Sequence, residues 1–136
     1  MDLWKYYDNN QTQLIYPNIF VHTHEKEIAK TNPKWAFEHI SKYGKDKKLE
    51  PIIAKSAKYS YEYALNILHN TFELGEPTIA KTANYSIEYA FYVLKNKFKL
   101  GEPIIAKDQR YAKIYTKYVL KKDFYLDGKL ICKYEE

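Results

Sequence analysis

Between residues 50 and 76 the apolar positions fall into two runs of different length. A short run, Ile52-Ile53-Ala54, is followed by Tyr59, Tyr63 and Ile67 at four-residue spacing, with Ser60, Ala64 and Leu68 beside them. Such spacing marks one face of a helix. Glu50-Pro51 opens the short run, where proline at the first helical position loses no needed N–H and the acidic residue suits the positive end of the helix dipole. This pattern predicts a short helix of about a turn and a half, ending near Lys55. Ser56 then stands where an N-cap is wanted, and a second, longer helix is predicted from there to just before Phe72-Glu73-Leu74-Gly75, with the glycine expected to relieve a left-handed turn. The unit is a helix–turn–helix.

The same unit recurs. Residues 51–76, 77–102 and 103–128 align without gaps at a period of 26; the first pair agrees at 16 of 26 positions and the second at 12 of 26. Thr82 and Asp108 take the N-cap place of Ser56. A degenerate copy over 26–50 carries Ile28-Ala29-Lys30, then Asn32-Pro33 as cap and first-turn proline, and Trp35 in place of Tyr59 after one inserted residue. Lys129-Leu130-Ile131-Cys132-Lys133 aligns with Pro103-Ile104-Ile105-Ala106-Lys107, so residues 129–136 read as half of a further unit, with Cys132 an inert small residue on a helix. Asp127-Gly128 is a good hairpin dipeptide, but the repeat register argues against a hairpin there.

On a wheel of 100° per residue, the longer helix shows an apolar arc of roughly 240°, from Tyr59 to Tyr61 and Leu65, too wide for a helix covered on one side only. Stacked copies that cover each helix from two sides account for it. In the last full unit Lys113 and Lys117 replace Tyr61 and Leu65, or Ile87 and Phe91, as expected of a terminal repeat with a polar outer face. The expected fold is all-α: a short α-solenoid of about four stacked helix–turn–helix repeats over 25–136, with residues 1–24 as an N-terminal cap.

The string Gly-Glu-Pro-x-Ile-Ala-Lys, followed by Tyr-Ser-x-x-Tyr-Ala and Val-Leu-Lys-x-x-Phe, resembles the tandem helical repeats of proteins from large bacteriophages and other large DNA viruses. The likeness runs over residues 25–133. Asn96 stands where those repeats usually have glycine, and most units here lack their Asp-Pro opening of the longer helix. The resemblance implies helical repeats and a viral setting; it implies no shared catalytic residues, ligand or cofactor.

Composition narrows the setting. At 136 residues and 46% apolar, the chain can bury a core, and no run of 18 apolar residues is present. One cysteine excludes an internal disulfide or a Cys-cluster metal site, and with no secretory pattern at Met1-Asp2-Leu3-Trp4-Lys5 the expected location is cytoplasmic, that of the host if the protein is viral. The net charge of +5 favours anionic partners at long range without being a nucleic-acid signature.

Little catalytic chemistry is visible. There is no phosphate-binding glycine loop, nucleophile elbow or His-Glu-x-x-His pair, so no enzyme activity or cofactor is expected. His22-Thr23-His24 would bring two imidazoles to one side of a strand, with no third metal ligand nearby, and His39 and His69 fall at unrelated repeat positions. Glu25, Glu50, Glu76 and Glu102 with Lys30, Lys55, Lys81 and Lys107 read as dipole partners of the short helices and an inter-repeat ion-pair ladder; an aligned anion-binding row is the alternative. Tyr59, Tyr85 and Tyr111, and Tyr63, Tyr89 and Tyr115, repeat in register and are expected in the core.

What changes between units carries more about function. On the polar arc the variable positions are Lys58, Glu62, Asn66 and His69, then Asn84, Glu88, Tyr92 and Lys95, then Arg110, Ile114, Tyr118 and Lys121. Repeats hold the scaffold constant and vary the surface that meets a partner. Of these, Glu62, Asn66, His69, Glu88, Tyr92, Lys95, Arg110, Ile114, Tyr118 and Lys121 are the candidate partner-binding residues. The expected function is non-enzymatic binding and modulation of a host protein. Nucleic-acid binding through Lys55, Lys81, Lys107 and the Lys117–Lys122 cluster is the alternative.

Overall fold

The structure, a computed structural model, describes residues 25–136. The N-terminal cap expected over 1–24, and with it His22-Thr23-His24, lies outside the described residues.

A first helix pair, α1 (25–29) and α2 (Pro33–Tyr43), precedes three regular repeats. Each repeat is a four-residue helix followed by a longer one: α3 (Glu50–Ile53) and α4 (Ala57–Glu62), α5 (Glu76–Ile79) and α6 (Ala83–Glu88), α7 (Glu102–Ile105) and α8 (Gln109–Ile114). Short 3-10 turns, Lys47–Leu49, Glu73–Gly75 and Lys99–Gly101, lead into the short helices. The stacked all-α repeat is therefore present.

The caps follow the sequence with one exception. Asn32 accepts from the Trp35 backbone N–H at 3.0 Å, Ser56 from Tyr59 at 3.2 Å, and Asp108 from Arg110 at 2.9 Å. Thr82 caps nothing; its hydroxyl instead donates to the Ile79 carbonyl at 3.3 Å.

Each of the three longer helices changes pitch half-way. A π-helical turn extends α4 over Tyr63–Leu68, α6 over Tyr89–Leu94 and α8 over Tyr115–Leu120, whereas α2 has no such turn and ends at Gly44. The left-handed residues closing these turns are His69, Lys95 and Lys121, with φ of 51°, 54° and 56°. Their backbone N–H groups donate five residues back, to Ala64, Ala90 and Thr116. The left-handed position expected at Gly75 is thus six residues too late, and Gly75 itself has φ −90°. Its small size serves another purpose: a Cβ at the equivalent Gly101 would stand 2.5 Å from Ser86 Oγ, so glycine is needed where these two 3-10 turns close onto Ser60 and Ser86, whereas Leu49 ends the first such turn.

Units join through aromatic and hydrogen-bond contacts. Phe37 of α2 meets Tyr59 of α4 at 5.5 Å between ring centroids, and Tyr61 meets Tyr85 at 5.9 Å. Thr78 donates to the Ala54 carbonyl of the preceding unit at 2.7 Å. Tyr63, Tyr89 and Tyr115 are fully buried, and each packs edge-on against the phenylalanine nine positions later, Phe72, Phe98 and Phe124. Tyr61 and Ile87 are buried under their successors, while Lys113, with no helical unit after it, is exposed.

The chain after 123 departs from the repeat. Instead of half a helical unit, β1 (Phe124–Leu126) and β2 (Lys129–Cys132) form an antiparallel hairpin around Asp127-Gly128, both residues having positive φ, 52° and 79°. The turn chemistry prevails because two consecutive left-handed residues fit the twist of a two-residue hairpin. Gly128 and Lys129 also stand where Glu-Pro would start a short helix. Cys132 is consequently a half-buried strand residue.

Candidate interaction face

The variable stripe of the longer helices is exposed over most of its length. Asn66, His69, Tyr92, Lys95, Arg110, Ile114, Tyr118 and Lys121 are exposed, and Glu62 and Glu88 are half-buried. The Tyr61 hydroxyl is pushed up to about 12, first by burial and then by the Glu88 carboxylate. Arg110 is folded back onto Asp108 at 2.8 Å and holds that carboxyl below its ordinary value. His69, Lys95 and Lys121 occupy the left-handed closing positions, so their side chains leave the helix ends at the same point of each unit.

Only part of the stripe converges. Lys95, Tyr118 and Lys121 line a cleft of about 210 Å³ between the second and third repeats, floored by Ala90 and Val119. Glu62, Asn66, His69, Glu88, Arg110 and Ile114 are not among its lining residues. The cleft also takes in Phe91, whose place on the apolar arc predicts an inter-repeat contact instead. Phe91 is 42% exposed and stacks edge-on against Tyr92 at 4.8 Å. The next unit offers Lys117 at the matching position, and its charged end does not cover Phe91. Lys117 instead lies over the Tyr118 ring at 5.3 Å.

The Glu and Lys rows do something other than expected. Glu50, Glu76 and Glu102 accept from the hydroxyls of Tyr63, Tyr89 and Tyr115, each at 2.6 Å. Lys55, Lys81 and Lys107 are exposed and form no ion pair among the described residues. No inter-repeat ion-pair ladder forms among the described residues; the carboxylates take the buried hydroxyls as partners instead. Burial, then the glutamate acceptors, raise all three tyrosines above their ordinary value. At the first helix pair the pattern differs: Lys42 contacts Glu25 at 3.0 Å, and Glu25 is held below its ordinary value by the Tyr43 hydroxyl and then by Lys42.

Among the described residues no group of three His, Cys, Asp or Glu side chains could hold a metal ion. No described helix is long and apolar enough to cross a membrane. No family model, curated protein or solved structure matches this chain.

Proposed function

We propose that the protein is a non-enzymatic interaction module that captures a partner protein on the face formed by the second and third repeats. The observation carrying this reading is the exposure of Phe91, Tyr92, Ile114 and Tyr118, at 42–53%, in a chain whose repeated core tyrosines are fully buried. Apolar and aromatic side chains gathered on a rigid face and flanked by lysines are the groups that anchor protein interfaces. The resemblance to viral repeats suggests a host protein as the partner and modulation of that protein as the outcome.

The test is capture from a host lysate by the intact chain against a Tyr92→Ala, Tyr118→Ala variant. Loss of the captured species with an unchanged melting temperature is expected. Undiminished capture, or a large fall in melting temperature, overturns the reading.

Nucleic-acid binding is the second reading, supported by the exposure of Lys55, Lys81 and Lys107 at one position of three successive units. Phosphate-driven retention weakens steeply with salt, whereas a protein complex of this kind persists. No retention on DNA or RNA at low salt removes the second reading.

A further inference from the structure

The last repeat differs from the others at four positions that lie together. Gln109 stands where the earlier units have Ala57 and Ala83, and Lys113 where they have Tyr61 and Ile87. Thr116 replaces Ala64 and Ala90, and Lys117 replaces Leu65 and Phe91. All four apolar-to-polar changes fall on one wall of a cleft of about 540 Å³, between α8 with its π turn and the strand β2. Ile131, Cys132 and Lys133 form the facing wall, and Glu135 and Glu136 border it.

End-capping explains exposed lysines at 113 and 117. It does not explain Thr116. That residue is 2% exposed, and its hydroxyl, buried, has no hydrogen-bond partner among the described residues. The alanines at the same place in the earlier units are fully buried without such a group. A buried hydroxyl left unpaired is unfavourable, so its presence beside a polar cleft points to a ligand atom as its partner. The walls are also held in place: Gln109 donates from its side-chain amide to the Ile131 carbonyl at 3.2 Å, and Asp123 accepts from the Tyr134 backbone N–H at 2.8 Å.

We propose that this cleft binds a phosphate-bearing small molecule. Lys113, Lys117 and Lys133 supply three ammonium groups that form no ion pair among the described residues, and Thr116, which lines the same cleft, supplies a hydroxyl. Glu135 and Glu136 border the same cleft, so the anion is held by the side that carries Lys113 and Lys117. The volume lies within the range of small-molecule sites and exceeds what a bare phosphate fills. The cleft adjoins the aromatic face through Lys117, whose ammonium lies over the Tyr118 ring at 5.3 Å; Lys113, Thr116 and Lys133 belong to the cleft alone.

The test uses the intact, isotopically labelled chain at low salt, titrated with pyrophosphate and followed by amide NMR shifts. Inorganic phosphate and ADP run alongside to separate a bare phosphate site from one that also holds an organic part. Saturable shifts centred on Lys113, Thr116, Lys117 and Lys133 are expected. The Lys113→Gln, Lys117→Gln variant weakens binding by at least about tenfold, with its melting temperature unchanged. Thr116→Ala, which restores the residue of the other units, weakens binding without lowering the melting temperature. Shifts that do not saturate, that centre on Lys55, Lys81 and Lys107, or that survive the double lysine variant overturn the proposal.

Discussion

The Tyr89 hydroxyl donates to Glu76 Oε2 at 2.6 Å, tying the middle of one helix to the residue that opens the short helix thirteen positions earlier. The Tyr89 hydroxyl oxygen also accepts from the Phe72 backbone N–H at 3.1 Å, so one buried hydroxyl closes its own repeat and pins the end of the one before. Tyr115 does the same with Glu102 and Phe98. Tyr63 keeps the bond to Glu50, but its hydroxyl receives no backbone N–H among the described residues.

That difference gives a graded expectation. Tyr89→Phe leaves a buried N–H and a carboxylate without their partner and should destabilise by about 1–3 kcal/mol. Tyr63→Phe likewise frees a carboxylate but no backbone N–H, and should cost about 1 kcal/mol less than Tyr89→Phe. Urea unfolding midpoints of the two variants check the order; equal losses would mean that the bridge to Phe72 contributes nothing.

The buried tyrosines also set an alkaline limit. Folding raises Tyr61, Tyr63, Tyr89 and Tyr115 above the ordinary value of 10.0, so between pH 10 and the raised values the native state holds more protons than the unfolded one. Their contribution is complete below pH 10 and is lost as pH rises above it. Phenolate absorbance from these four should appear together with the loss of helical circular dichroism. Complete titration of all the tyrosines in a chain that remains folded would contradict their burial.

Gly101 tests how closely the turn is fitted. A Cβ there would meet Ser86 Oγ at 2.5 Å, Ser86 Cβ at 2.6 Å and Phe98 Cδ2 at 2.9 Å. Gly101→Ala should therefore destabilise by about 1–3 kcal/mol, although alanine is the better helix former. Adding Ser86→Ala should not rescue it, since the Cβ of residue 86 remains. Full rescue in the double variant would place the conflict on the hydroxyl alone.

The period of 26 was legible because copied residues carry copied structure: Glu-Pro at each short helix, Ser56 and Asp108 at the caps, Tyr63 and its equivalents in the core. The π turns were not, because four-residue spacing over Tyr59, Tyr63 and Ile67 fits an α-helix equally well, and the left-handed positions fall on His69, Lys95 and Lys121, residue types that do not announce them. The tyrosine–glutamate bonds join residues thirteen apart, which no local pattern encodes. On the stripe, the alternation of polar and apolar residues located Tyr92, Tyr118 and Lys121 on the surface; that Phe91 joins them depended on what the next unit failed to cover.

Gly128 separates the two readings of the last segment by the sign of a single substitution. In the hairpin its φ of 79° is a conformation that alanine reaches only under strain, so Gly128→Ala should destabilise by about 1–2 kcal/mol. In half a helical unit, the same change would replace glycine by the best helix former and stabilise by up to about 1 kcal/mol. Asp127→Asn, which keeps a residue tolerant of φ 52°, should stay within about 0.5 kcal/mol in either case and serves as the control. The lost stability should be accompanied by faster amide exchange in the strands, where Leu126 pairs with Lys129 and Phe124 with Cys132. A stabilising Gly128→Ala would put the helical repeat back through residue 133 and remove the wall of the cleft that β2 provides.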